Sequence, residues 1–231
     1  MNLLALGFLI ATLFGYILNK KLYRKYPYLL FSPAILLPVL LMLAISALQS
    51  SYSTYMHYNQ WIVWLLGPAT VAFAIPIYEY RDVIRQHVLS IGLGIILGMT
   101  AGVVSAFYLA NLFDFDQITR YSLMSRSIST PFAMELTQDL GGSVELVILF
   151  TMMTGILGVA CADLVLIALR LNSRFAQGAA LGNAAHGFGT SKAFLRHRDE
   201  GVIACLSMVL SGIFMVLFGP LLVHGIISLL S

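Results

Sequence analysis

Long runs without a charged residue limit what this chain can fold into. Residues 88–110 and 202–230 contain no Asp, Glu, Lys or Arg. A helix needs about 20 apolar residues to cross the hydrocarbon core of a bilayer, and both runs are long enough. Charged residues make up only 10% of the 231 residues, whereas a soluble domain has about 25%. We therefore predict an all-α polytopic membrane protein that forms a single domain over residues 1–231.

The positive charges lie in short clusters between apolar segments, which is how membrane proteins encode their orientation. The first cluster, Lys20 to Lys25, follows the first apolar segment, so the positive-inside rule predicts an N-terminus outside. Because Lys20 and Lys21 stand where a small-residue cleavage site would be, we expect this segment to be retained. The net charge of +3 comes from these clusters and does not indicate nucleic-acid binding.

We predict six full spans and two broken segments. The loop 49–60 has no Lys or Arg and is expected outside the cell. The broken segments are 118–142 and 175–195, and the full spans are 3–18, 29–48, 61–78, 88–110, 144–169 and 202–230.

Each broken segment contains a short polar interruption, at 127–133 and at 186–193. Non-helical backbone at membrane depth is tolerated only where protein buries it or water reaches it. Pairs of such breaks indicate a solute site in a secondary transporter. The charge pattern favours re-entrant segments, with 118–142 dipping from outside and 175–195 from inside. The alternative, in which both cross fully, would place Arg170 and Arg174 outside.

A weak internal repeat supports the re-entrant arrangement. A shift of 60 residues aligns Thr130 with Thr190 and Gly98 with Gly158. The repeat units would be roughly 88–142 and 148–202, each with one span and one broken segment, and therefore inverted relative to each other. Because the matching residues are few and mostly small, a chance similarity is the alternative.

Both interruptions have the residues of a helix start. Ser and Thr cap free amide groups, and Pro fits the first helical turn, as in Thr130-Pro131 and Thr190-Ser191. Such a terminus attracts a nearby anion by roughly 0.3–2 kcal/mol. The candidate substrate-binding residues are Arg126, Ser129, Thr130, Pro131, Asn183, His186, Gly189, Thr190, Ser191 and Lys192.

Arg126 and Lys192 are the expected counter-charges of an anion, because an intramembrane charge is costly unless it is paired. Alternatively, they could snorkel to the interface or pair with Glu135, Asp139 or Asp199.

Asp163 and His186 are candidates for proton or cation coupling. Alternatively, Asp163 could pair with a nearby arginine such as Arg170, and His186 could be a packed core residue. The chain has no zinc-protease motif, nucleophile elbow or P-loop, so we expect no enzymatic activity, no metal site and no cofactor.

The sequence resembles the LrgB/CidB family of bacterial membrane proteins. The resemblance depends on 76–79, 127–134, 154–158 and 186–193, and it covers about 67–220. It implies a protein of the bacterial inner membrane, forming homo-oligomers and acting with a small LrgA/CidA-type membrane partner.

The resemblance implies two alternative functions. One is a holin- or antiholin-like protein that controls murein hydrolase activity and cell lysis. The other is a transporter of small monocarboxylates of the pyruvate or glycolate type. The two capped breaks with adjacent cations favour the transporter, since a pore former does not need them.

Overall fold

A computed structural model describes residues 2–26, 28–72 and 74–230, and every regular element in these ranges is a helix. This confirms the all-α polytopic fold class. Five helical stretches within the described ranges are long and apolar enough to cross a membrane. They are Leu3–Lys25, Tyr52–Glu79 (which contains the undescribed Phe73), Val88–Leu112, Val144–Ala168 and Arg198–Leu230.

The chain divides into two compact units, Met1–Ala69 and Thr70–Ser231. The first contains α1 (Leu3–Lys25), a short 3-10 helix (Leu29–Phe31), α2 (Pro33–Ala47) and α3 (Tyr52–Trp64). Helix α2 has 15 residues and is thus shorter than the span that we predict for 29–48. α1 packs against both α2 and α3.

The predicted loop 49–60 is wrong, because α3 begins at Tyr52. Ser51 is its N-cap, and the Ser51 hydroxyl accepts a hydrogen bond of 3.2 Å from the Thr54 amide. The predicted span 61–78 continues through two short helices, α4 (Leu66–Ala72) and α5 (Ala74–Glu79).

The second unit continues with seven helices, several of which carry the candidate site. These are α6 (Arg81–Gln86), α7 (Val88–Leu112), α8 (Gln117–Met124), α9 (Thr130–Leu140), α10 (Val144–Ala168), α11 (Arg174–Arg196) and α12 (Arg198–Leu230). Helices α7 and α10 both have 25 residues, and each is followed by one broken segment. Helix α12 packs against α7, α9 and α11 and is the central helix of this unit.

In the first broken segment, α8 and α9 fold back so that the residue after the end of α9 contacts α8. The Ser122 hydroxyl on α8 accepts a hydrogen bond of 2.8 Å from the Ser143 amide, which follows α9. Gly141 ends α9 in the left-handed conformation, with φ 77°, that glycine adopts without strain. The 8 residues of α8 and 11 residues of α9 would extend only about 12 and 16 Å, against about 30 Å of hydrocarbon core.

The second broken segment is a helical hairpin within α11. The backbone leaves helical geometry at His186, with φ 50° and ψ −127°. The arm after this turn doubles back on the arm before it, because Gly189 packs directly on the Leu181 carbonyl. The helix therefore restarts just after His186 and not at Thr190, as the sequence pattern predicts.

Candidate functional site

Both breaks lie well inside the long helices that surround them, away from the helix ends. A Cβ atom at Gly102 of α7 would lie 2.6 Å from Ser127 Oγ in the first break. A Cβ atom at Gly158 of α10 would lie 2.9 Å from the Ala185 methyl, next to the second break.

Helix α12 shows that the two breaks lie at a similar level. The Thr190 hydroxyl in the second segment is 3.8 Å from the sulfur of Met208. Gly212, one helical turn further along α12, faces the ring of Phe132 at the start of α9. Because one helix contacts both tips within a single turn, the tips are neighbours.

His186 joins the two breaks directly. Its imidazole lies close to the backbone of Ser127 and to the charged side chain of Arg126, both in the first break. Only 4% of His186 is exposed. Neither ring nitrogen has a hydrogen-bond partner of normal geometry among the described residues. Two polar nitrogens are thus buried at the meeting point of the two segments, at a cost in free energy unless something binds them.

Arg126 and Ser129 add further unsatisfied groups to the same place. Arg126 Nη1 and Ser129 Oγ are buried and have no hydrogen-bond partner within the described part of the chain. None of the carboxylates in that part lies within 4.0 Å of the Arg126 guanidinium. A half-buried cation beside unused hydrogen-bonding groups has the chemistry to bind an anion.

The start of α9 supplies more donors. Ser129 is the N-cap residue, and Pro131 occupies the first turn. The first backbone hydrogen bond of α9 runs from the Ala133 amide to the Ser129 carbonyl, at 3.0 Å. The amides of Thr130 and Phe132 precede this bond, and such amides attract negative charge.

Lys192 lies in a separate charged cluster. Its ammonium group is 2.8 Å from Asp163 Oδ2 and donates to the Val159 carbonyl at 3.1 Å. Arg196 bridges Asp163 to Glu200, and its distance to Glu200 Oε1 is 3.2 Å. The partner of Asp163 is therefore Lys192 together with Arg196, and not Arg170. This cluster, Asp163, Lys192, Arg196 and Glu200, ties the end of α11 to α10 and α12.

The remaining predicted residues have varied surroundings. Asn183 Oδ1 accepts a hydrogen bond from the Ser211 hydroxyl of α12. The Ser191 hydroxyl donates to the Gly187 carbonyl at 2.8 Å within its own helix, so it does not cap a helix start. Gly189 is buried in the contact between the two arms of α11.

Sequence reasoning missed Ser127, Arg196, Glu200 and Ser211. Arg196 follows Lys192 by one helical turn, so the two share a helix face, and this spacing could have indicated a joint partner. Ser127 and Ser211 give no comparable signal, because their contacts depend on which helices meet. Within the described ranges, no group of three His, Cys, Asp or Glu residues is placed to hold a metal ion.

The helices and the buried polar site define a multi-pass helical membrane protein. The profile of the LrgB-like family matches residues 12–225, and the chain belongs to this family.

Relatives match over almost their whole length. The chain is 35% identical to YxaC of Bacillus subtilis (strain 168), named as uncharacterized, over 95% of this chain and 96% of that one. It is 28% identical to the holin-like protein CidB of Staphylococcus epidermidis, over 93% of this chain and 94% of that one. No solved structure matches the chain. These bacterial relatives and the apolar helices indicate a bacterial membrane protein.

Proposed function

We propose that the protein moves a small monocarboxylate across the bacterial cytoplasmic membrane, holding it between the two helix breaks. The observation that carries this proposal is the half-buried Arg126, which has no carboxylate within 4.0 Å in the described residues. The unsatisfied hydroxyl of Ser129 and the free amides of α9 follow Arg126 closely in the chain, and the imidazole of His186 lies against the adjacent Ser127 backbone.

The site favours a solute with a single carboxylate. The planar guanidinium of Arg126 matches a carboxylate in a two-point hydrogen bond. Lys192 is already paired with Asp163, so of the two cations next to the breaks, among the described residues, Arg126 is the one without a partner carboxylate. A second carboxylate would therefore be buried without a counter-charge, which is costly. A direct role of Lys192 toward the solute stays a prediction.

Alternating access would use re-entrant segments that meet from opposite sides. The bond between Ser122 and Ser143 and the hairpin at His186 both support segments that begin and end on one side. Within the second compact unit, α7 and α10 each have 25 residues and each is followed by one broken segment, and this repetition supports an inverted repeat. Movement of either segment would open the site toward its own side of the membrane.

We assign coupling roles to His186 and Asp163. The charge of Arg126 acts on His186, so protonation of its imidazole would add a second positive charge near the carboxylate. Protonation of Asp163 would weaken its bonds to Lys192 and Arg196 and release the second arm of α11 from α10.

Uptake of labelled pyruvate or glycolate into proteoliposomes tests the proposal. Arg126→Gln should abolish saturable uptake, and Arg126→Lys should retain a part of it because the charge remains. The matched control is Arg120→Gln, since Arg120 is half-buried in the same segment and faces the ring of Phe107 at 6.0 Å. Uptake that survives Arg126→Gln, or is lost equally in the control, would disprove this site.

The second candidate is a holin-like or antiholin-like function, which the name of the CidB relatives supports. It would involve a small LrgA/CidA-type partner and assembly into homo-oligomers. The same proteoliposomes, prepared with and without that partner, distinguish the two functions. Dye leakage without saturable carboxylate uptake would favour the holin-like function.

A further inference from the structure

A cavity of about 280 Å³ lies in the second unit, away from the two breaks. Arg174 and Arg198, the first residues of α11 and α12, are part of its lining. The aromatic rings of Tyr80 and Phe175 and the aliphatic side chains of Val202 and Ile203 form most of the rest. The cavity thus combines two guanidinium groups with an apolar wall.

The two arginines of this cavity have no carboxylate partner. Among the described residues, neither Arg174 nor Arg198 forms an ion pair within 4.0 Å. Asp199 also lines the cavity, but its carboxylate lies 3.5 Å from His197 Nδ1. The cavity therefore offers positive charge to a ligand that comes from outside the protein.

The position of the cavity identifies the ligand class. The charge-free part of α12 begins at Gly201, next to the cavity residue Val202, and α7 begins at Val88, shortly after the cavity residue Tyr80. The cavity lies where these two apolar helices begin, which is the level of lipid headgroups. We propose that it binds an anionic phospholipid, with the phosphate on Arg174 and Arg198 and the first acyl carbons against Phe175, Val202 and Ile203. Basic pockets between membrane helices bind such headgroups elsewhere.

Native mass spectrometry of the full, delipidated chain tests this proposal by titration with phosphatidylglycerol or phosphatidylcholine. We expect a preference for phosphatidylglycerol that Arg174→Gln/Arg198→Gln weakens by about 30-fold, at roughly fivefold per arginine. The matched control is Arg85→Gln/Arg170→Gln, which removes two exposed arginines outside the cavity lining.

An equal loss in the control pair, or equal binding of both lipids, would overturn the proposal. Displacement of the lipid by millimolar inorganic phosphate would show a site for free anions and overturn the lipid assignment. If the double variant does not fold, Val202→Trp fills the cavity while both arginines remain, and it should also weaken phosphatidylglycerol binding. The proposal is independent of carboxylate transport, since no uptake is measured.

Discussion

The imidazole of His186 lies against the backbone of Ser127, although the two residues belong to different broken segments. This contact places the two interruptions of the membrane domain at one point. It also explains how buried polar groups from distant parts of the chain, including Arg126 and Ser129, come to share one site.

The turn at His186 is strained, because a residue with a Cβ atom pays for a φ of 50°. His186→Gly and His186→Ala both remove the imidazole, but only glycine relieves the backbone. We expect the glycine variant to be more stable than the alanine variant by about 1 kcal/mol. Thermal unfolding in one detergent measures this difference, and both variants should lose uptake if the imidazole binds the solute. Equal melting temperatures would show that the turn stores no strain.

If both broken segments are re-entrant, the two ends of each segment should be accessible to a reagent from one side of the membrane. After Cys161 and Cys205 are replaced by serine, Gln117→Cys and Asp139→Cys should react with a membrane-impermeant maleimide from the same side. Ser173→Cys and His197→Cys should react only from the opposite side. Labelling in right-side-out and inverted vesicles measures both pairs. Reaction of Gln117→Cys and Asp139→Cys from opposite sides would show that the first segment crosses the membrane.

The sequence predicts the long helices and both breaks well, because these depend on local hydropathy and on polar residues within it. The exact position of the second turn was not predictable. Glycine is the residue that adopts a positive φ most readily, and Gly187 and Gly189 lie next to this turn, but the positive φ belongs to His186. The small size of Gly189 serves the close contact with the Leu181 carbonyl instead.

The loop predicted at 49–60 shows that a polar composition does not by itself distinguish a loop from a helix. Its Tyr, Ser, His and Asn residues indicate a polar environment, but they do not prevent a helix once Ser51 caps its start. The spacing of Lys192 and Arg196 could have indicated a joint partner, but not that this partner is Asp163, since that depends on which faces of α10 and α11 meet.

Asp163 neutralises two cations at once, so its removal should destabilise the fold. Asp163→Asn leaves Lys192 and Arg196 without this carboxylate, and because Asp163 is half-exposed we expect a loss of about 1 kcal/mol. The additional change Lys192→Met should recover part of that loss, because one unpaired cation is removed. The control is Asp139→Asn on α9, which is also exposed but forms no ion pair among the described residues and should change stability by less than about 0.5 kcal/mol. Additive effects of Asp163→Asn and Lys192→Met would contradict a coupled pair.

Close helix contacts around the breaks depend on glycines that differ in what they face. Gly182 on α11 faces the backbone of Ala204, which cannot move aside, so Gly182→Ala should cost about 1–3 kcal/mol.

Gly212 on α12 faces the ring of Phe132, so Phe132→Leu should partly rescue Gly212→Ala. Gly94→Ala is the control, because Gly94 faces open space and alanine favours the helix by roughly 0.5–1 kcal/mol. Thermal unfolding of the three alanine variants and the double variant checks these expectations. A Gly182→Ala variant as stable as Gly94→Ala would refute direct packing of α11 on α12, and with it the alignment of both breaks along α12.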